Sequence, residues 1–350
     1  MKGLVLEGGG VKGSYQVGSF YAFRDSKIKL DGFVGTSIGS FNAAMLASNR
    51  YSELLDFWYN VNPGELLGFD QKFIDAINNN TKDVGSLISA FSALKKVVKN
   101  LGIDNTNLLN SVRNVIDFDA LSNSNKDFGL VTVQVSRRGV KPKYVYKSDI
   151  NSKDKLIEYL MASSYLPVFR ERRIIDNHFY IDGGFYDNSP VKLLTDIGYE
   201  EVYVINIKGI GINRKHNSNA KIINISPSRE NGRILEFNRD VIRDNIMMGY
   251  YDTLRVLKRL DGYKYCFKRK SNKYYSFLVR KVDNRLFKRV MNFFDTITYK
   301  ATVLRALEYV LEKEHIDYYD IYDSYKLIKK LRNTRNKHFI YRFIREIKFF

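Results

Sequence analysis

The feature that most constrains this chain is Gly35-Thr36-Ser37-Ile38-Gly39, a G-x-S-x-G that follows a short apolar strand and precedes a helical pattern. A serine on so short a turn must adopt strained backbone angles, and only small neighbours such as Gly35 and Gly39 leave room for the bend. The turn also sets the serine at a helix N-terminus, where free amides and the helix dipole favour negative charge. Such a pattern also arises by chance, so the strand-turn-helix context carries the reading of Ser37 as a nucleophile.

The neighbouring segments repeat that context. Residues 2–6 are an apolar run ending at Glu7 and three glycines, which reads as a buried strand entering a tight loop. Residues 13–24 carry Val17, Phe20, Tyr21 and Phe23 at helical spacing. Gly32-Phe33-Val34 reads as a second strand and residues 38–48 as a second helix. Further strands are expected at 130–135, with 143–146 beside it, and at 179–181, 201–207 and 221–225. Helical patterns cover 153–163, 233–260, 283–314 and 317–333. The alternation predicts an α/β fold with a mainly parallel central sheet flanked by helices. Within the less regular 51–125, Leu87, Ile88, Phe91, Leu94, Val98 and Leu101 form one apolar stripe. It either caps the site or packs on the core.

With 350 residues, 44% of them hydrophobic, the chain can build one large core and an appendage, which excludes a disordered protein. A lone Cys266 excludes an intramolecular disulfide and a multi-cysteine metal site. Neither a signal-peptide core nor a membrane-spanning run is visible, so the expectation is a soluble, cytoplasmic protein. The net charge of +19 is uneven. From Lys264 to Phe350 there are 22 Lys and Arg against 9 Asp and Glu, whereas the rest carries 35 against 29. Aromatic and basic residues also alternate after Gly262, as in Tyr263-Lys264-Tyr265. A boundary near 262 is therefore expected, with a basic, aromatic-rich, mostly helical region at 263–350. Its charge suits lipid head groups or nucleic acid as partners, or simply keeps a helical surface solvated.

Two further motifs complete a chemistry. Gly8-Gly9-Gly10-Val11-Lys12-Gly13 lies between the first strand and the first helix, where amides without side chains can converge on one oxyanion. Each such donor is worth roughly 3–4 kcal/mol in an enzyme. Gly8, Gly10 and Gly13 also spell the G-x-G-x-x-G of dinucleotide sites. That pattern needs an acidic residue at the end of the second strand, where this chain has the G-x-S-x-G turn instead. Asp182-Gly183-Gly184 puts a carboxylate at a strand end with no bulk behind it, or forms a plain Asp-Gly turn. His178, His216, His315 and His338 sit apart from these motifs. The pattern is therefore a Ser-Asp pair, with Asp182 accepting the Ser37 proton directly, and not a Ser-His-Asp triad.

Together these residues resemble the patatin-like phospholipase family. Gly8 to Gly13 looks like its oxyanion loop, with the amides of Gly8, Gly9, Gly10 and Val11 as donors. Gly35 to Gly39 looks like its nucleophile elbow, and Asp182-Gly183-Gly184 like its D-G-G motif. Ala162-Ser163-Ser164-Tyr165-Leu166-Pro167-Val168-Phe169 is similar to a family block that shapes the pocket, and Asp187-Asn188-Ser189-Pro190 follows as it does in the family. The likeness spans roughly residues 3–260. It implies a three-layer sandwich over 1–262, a Ser37-Asp182 dyad, no metal or other cofactor, and carboxylic ester hydrolysis in lipids of the phospholipase A or lysophospholipase type. Lys12 matches the family's basic position and either steadies the loop or meets a phosphate.

The alternative is a catalytically inactive membrane- or nucleic-acid-binding module on a hydrolase scaffold, although no nucleic-acid motif is present. A dinucleotide-dependent oxidoreductase rests on the glycine spacing alone. Near the end of the chain, Ile340, Phe343, Ile344 and Ile347 share one helical face among Arg342, Arg345 and Lys348. That helix either lies peripherally on an anionic membrane or docks on its own protein.

Overall fold

Strand β1 (Lys2–Leu6) carries three consecutive apolar residues, Leu4, Val5 and Leu6, all fully buried, so it needs cover on both faces. It lies inside a seven-stranded sheet with β2 (Gly32–Thr36), β3 (Asp127–Ser136), β4 (Gly139–Tyr146), β5 (Phe179–Asp182), β6 (Glu201–Ile205) and β7 (Lys221–Ile225). The strand order is β4-β3-β2-β1-β6-β7, and β5 also pairs with β3. The pairs β1-β2, β1-β6, β2-β3 and β6-β7 are parallel, whereas β4 and β5 run antiparallel to β3. The sheet is thus mainly parallel, as its alternation with helices predicts. The computed structural model describes residues 1–62, 75, 79, 83–86, 89, 105–137, 139–167, 169, 175–215, 217–235 and 238–348. The apolar stripe at 87–101 and His216 lie outside the described residues.

Each face of the sheet has its own cover. The rung Leu4, Phe33, Phe128 and Tyr203 faces helix α1 (Ser14–Asp25), whose Phe20 and Phe23 stack edge-on against Phe33 and Tyr203. The next rung, Val5, Val34 and Val204, packs with Leu193, Leu194 and Tyr199. Between these layers the chain forms α2 (Ile38–Ala47), α3 (Tyr51–Asn60), α4 (Thr106–Val115), α5 (Phe118–Asn123), α6 (Lys153–Ser163), α7 (Lys192–Thr195) and α8 (Arg239–Leu257). The sequence from β1 proceeds through β2 and β3 to one side and returns through β6 and β7 on the other. The carboxyl ends of β1 and β6 thus flank a topological switch point, where open α/β sheets place their ligands.

One register detail governs the site. β3 outruns β2, pairing Thr36 with Val131, and its next residue, Thr132, pairs with Asp182 of β5. Strands β2 and β5 therefore meet end to end along one edge of β3, approaching from opposite directions.

The chain divides into two compact units, Met1–Tyr250 and Tyr251–Phe350, and the division falls inside α8, ahead of the change in character read near Gly262. In the second unit, β8 (Cys266–Phe267) pairs with β9 (Ile321–Tyr322), which precedes α12 in a segment expected to be helical throughout. Its helices are α9 (Asn272–Val279), α10 (Asn284–Phe293), α11 (Tyr299–Lys313), α12 (Ser324–Leu331) and α13 (Phe339–Glu346). The single helical pattern expected over 283–314 is in fact two helices. Asp295 turns the chain at φ 49°, and the Thr298 hydroxyl caps a new helix at the Ala301 amide. The terminal helix also corrects one of the two readings above. Ile340, Phe343, Ile344 and Ile347 are fully buried in this unit's own core, so this face is not available to a membrane. No described helix is long and apolar enough to cross a membrane.

Gly18 of α1 lies hard against α8, since a Cβ there would sit 1.7 Å from the Ile246 carbonyl oxygen. Gly→Ala inside a helix ordinarily gains about 1 kcal/mol. Here the sign is reversed: Gly18→Ala is expected to destabilise the protein by about 1–3 kcal/mol, read as a lower urea midpoint at unchanged slope.

Candidate active site

Ser37 occupies the junction of β2 and α2 with φ 55° and ψ −129°, a strained conformation for a residue with a side chain. Its flanking glycines are sterically required. A Cβ on Gly35 would lie 2.3 Å from the Gly39 backbone, and one on Gly39 would lie 2.1 Å from the Leu6 carbonyl oxygen. Strain of this kind costs about 1–3 kcal/mol and needs anchors. Thr36 Oγ1 donates to the Asp187 carbonyl oxygen (2.8 Å). The Ser37 amide donates to Ser163 Oγ (2.9 Å), whose hydroxyl donates onward to the Val131 carbonyl oxygen (2.7 Å). Ser40 Oγ donates to the Ser37 carbonyl oxygen (2.6 Å) and closes the first turn of α2.

The end-to-end meeting of β2 and β5 brings Asp182 to this turn, beside the Ser37 hydroxyl. The Asp182 carboxylate accepts the Gly184 amide (2.7 Å), while its own amide donates to the Tyr165 carbonyl oxygen (2.9 Å). Asp182 is buried. Desolvation pushes its pKa from an ordinary 3.8 up to about 6, against the lowering by Ser37 and Gly184.

The glycine loop leaves β1 beside them. The Gly8 amide donates to the Asn188 carbonyl oxygen (3.3 Å), and Asn188 Nδ2 donates back to the Gly8 carbonyl oxygen (3.1 Å). The Val11 amide donates to the Ile234 carbonyl oxygen (2.9 Å). Among the described residues the amides of Gly9 and Gly10 donate to no acceptor. Of the four amides read from sequence as oxyanion donors, the outer two are therefore engaged and the inner two are open. Lys12 Nζ donates to the Lys208 carbonyl oxygen (3.2 Å). Burial lowers its pKa.

Beneath the loop lies a polar layer that motif reading does not find. Glu7 is buried, and burial raises its pKa. Its carboxylate accepts Asn213 Nδ2 (3.1 Å), the Gly209 amide (3.4 Å) and Ser189 Oγ (3.4 Å). Its carbonyl oxygen accepts Gln16 Nε2 (2.6 Å), and Asn42 and Trp58 extend the chain of hydrogen bonds from there. The nearest sequence signals are Glu7 itself, a charge ending a buried strand, and the Asn188-Ser189 pair after the D-G-G.

Gly8 to Val11, Ser37, Asp182 and Asn188 border a cavity of about 140 Å³. Its remaining walls are mostly apolar, among them Phe41, Phe57, Trp58, Leu160, Met161 and Phe169. No described histidine borders it: His178 and His315 are exposed, and His338 caps α13. Among the described residues no three His, Cys, Asp or Glu side chains are grouped as metal ligands.

The chain is 23% identical over 208 residues, 58% of its length, to patatin-like phospholipase domain-containing protein 7 of Rattus norvegicus, and spans 13% of that relative's length. Among solved structures it is similar to VipD from Legionella pneumophila, at 14% identity over 95% of this chain and 79% of that one, with a TM-score of 0.44. It is also similar to the type III effector protein ExoU, at 12% identity over 98% of this chain and 73% of that one, with a TM-score of 0.37. The patatin-like phospholipase profile matches residues 4–195, more than half of the chain, and the protein belongs to that family of lipid hydrolases.

Proposed function

We propose that this protein is a serine-dependent acyl hydrolase acting on the carboxylic esters of lipids, with Ser37 as nucleophile and Asp182 as general base. The observation that carries the proposal is that the Ser37 hydroxyl and the buried Asp182 carboxylate stand side by side at the wall of an apolar cavity. The walls suit an acyl chain, and the polar end of the cavity is the one that holds these two groups.

In the first step Ser37 Oγ attacks the ester carbonyl as its proton passes to Asp182. Negative charge develops on the carbonyl oxygen, and the open amides of Gly9 and Gly10, together with the start of α2, stabilise it. Gly8 and Val11 hold the loop through their engaged amides instead of acting as donors. Collapse of the tetrahedral species releases the alcohol or lysolipid, which takes the proton from Asp182. Water then attacks the acyl-enzyme, its proton goes to Asp182, and Ser37 recovers its own. A carboxylate with a pKa near 6 is a competent base at neutral pH, because it is ionised there yet basic enough to accept a proton. The catalytic region proposed here covers residues 1–262, and the basic helical remainder is proposed as a separate part.

Ser37→Ala is expected to abolish hydrolysis of a short p-nitrophenyl ester, and Asp182→Asn nearly so; full activity in either variant overturns the assignment. An active-site phosphonate should label Ser37, as mapped by peptide mass spectrometry. The pH profile of kcat/KM should fall about tenfold per unit below pH 6, as Asp182 takes up a proton and can no longer accept one. The same shift has a sign for stability. A carboxyl whose pKa is raised on folding stabilises the fold below its unfolded value and loses that contribution as pH rises through 6. At pH 8, Asp182→Asn should therefore melt no lower than the parent. Ser163→Ala removes the acceptor of the half-buried Ser37 amide and should cost about 1–3 kcal/mol of stability, with kcat reduced and KM little changed.

A further inference from the structure

The second unit spends nearly all of its apolar surface on its own core, so the residues left outside are informative. Ile297 is 91% exposed, between Phe293 at 53% and Tyr299 at 45%, in the turn that joins α10 to α11. Phe293 is the edge of a larger aromatic surface. Its ring meets Phe294 (4.9 Å), Phe339 (5.4 Å) and Tyr309 (6.0 Å) edge-on, and Tyr309 stacks on His338 (5.4 Å).

Cations surround this surface. Arg285, Arg289 and Phe293 succeed one another at four-residue spacing on α10 and so share one face of the helix. The Arg289 guanidinium lies 4.1 Å over the Phe339 ring. Lys288 is exposed on the same helix, and Arg335 and Lys337 are exposed just ahead of α13. The ion pairs of this unit are made by Arg255, Lys264, Lys300, Arg305 and Arg342. Among the described residues, Arg285, Lys288, Arg289, Arg335 and Lys337 take no part in any. Asp295 is the only carboxylate in the 293–299 turn.

We propose that this face is where the protein rests on an anionic lipid surface. Ile297 and Phe293 enter the edge of the acyl region, and Arg285, Lys288, Arg289, Arg335 and Lys337 meet lipid phosphates. Apolar tips beside unpaired cations, with aromatic rings at the boundary, match the layers of a membrane interface in order. A single-stranded nucleic acid calls for flat rings open to stacking. The rings here are turned edge-on into one another, and the most exposed residue is aliphatic. The inference stands apart from the hydrolase assignment, because none of these residues borders the cavity.

Sedimentation of the full chain with phosphatidylcholine vesicles, with and without phosphatidylserine, tests it. Binding should need the anionic lipid and weaken with salt. Ile297→Glu should weaken it about tenfold or more, and Arg285→Gln with Lys288→Gln about fivefold per cation removed. Both variants should keep the parental circular dichroism and short-ester activity, and Ser37→Ala should bind vesicles as the parent does. Absence of binding to the anionic vesicles, or undiminished binding in both variants, overturns the proposal. Displacement of the protein from vesicles by a short single-stranded RNA, with the same variants losing RNA affinity, reassigns the surface and overturns it as well.

Discussion

Strand β3 continues past the end of β2, and the space beside its second half is taken by β5 running the other way. Thr36 and Asp182 consequently sit on consecutive rungs of one edge, opposite Val131 and Thr132. Neither strand can lengthen without colliding with the other, so each must turn away at that point. β2 does so at Ser37 and β5 at Gly183. The meeting of hydroxyl and carboxylate follows from sheet register, which is strongly specified where strand faces are buried. A shift of one residue in either strand would turn the functional side chain to the opposite face.

The two buried carboxylates of this region differ in a way that suits different work. Glu7 accepts donors from two segments, Ser189 and the loop carrying Gly209 and Asn213, and ties them under the glycine loop. The Asp182 carboxylate accepts the Gly184 amide, stands beside the Ser37 hydroxyl and borders an apolar cavity. Burial raises the pKa of both carboxyls, and Asp182 is the one placed beside a nucleophile. The open pair of amides at Gly9 and Gly10 has the same logic. Their neighbours at Gly8 and Val11 are bonded to Asn188 and Ile234, which fixes the direction of the two that remain.

What was legible in the sequence was local. The elbow, the glycine loop and the D-G-G each place small residues directly after an apolar strand, and that pattern needs no knowledge of distant partners. The alternation that predicts a mainly parallel sheet is equally local. Ser163 and Asn188 lay inside recognisable blocks, yet their bonds to Ser37 and Gly8 cross 126 and 180 residues of chain. Only the closed fold reveals them. The break between α10 and α11 had a readable signal in Thr298, a good cap at the start of a helical run, which the continuous apolar spacing masked. The terminal helix had none, because an amphipathic face fits a protein core and a lipid surface equally well.

That ambiguity indicates where a surface function can be read with more force. A residue that covers a core is explained by folding, and Ile340, Phe343 and Ile344 are explained in this way. Ile297 is not, because leaving an isoleucine in water gives the fold no burial energy. The same reasoning applies to charge. Lys300 and Arg305 neutralise the buried carboxylates Asp261 and Glu308, so the core requires them. Among the described residues Arg285, Lys288 and Arg289 form no ion pair, and repulsion among them works against compactness. Apolar and cationic residues that folding does not use lie together along α10 and in the turn after it, and an amphiphilic surface is the environment that would employ both.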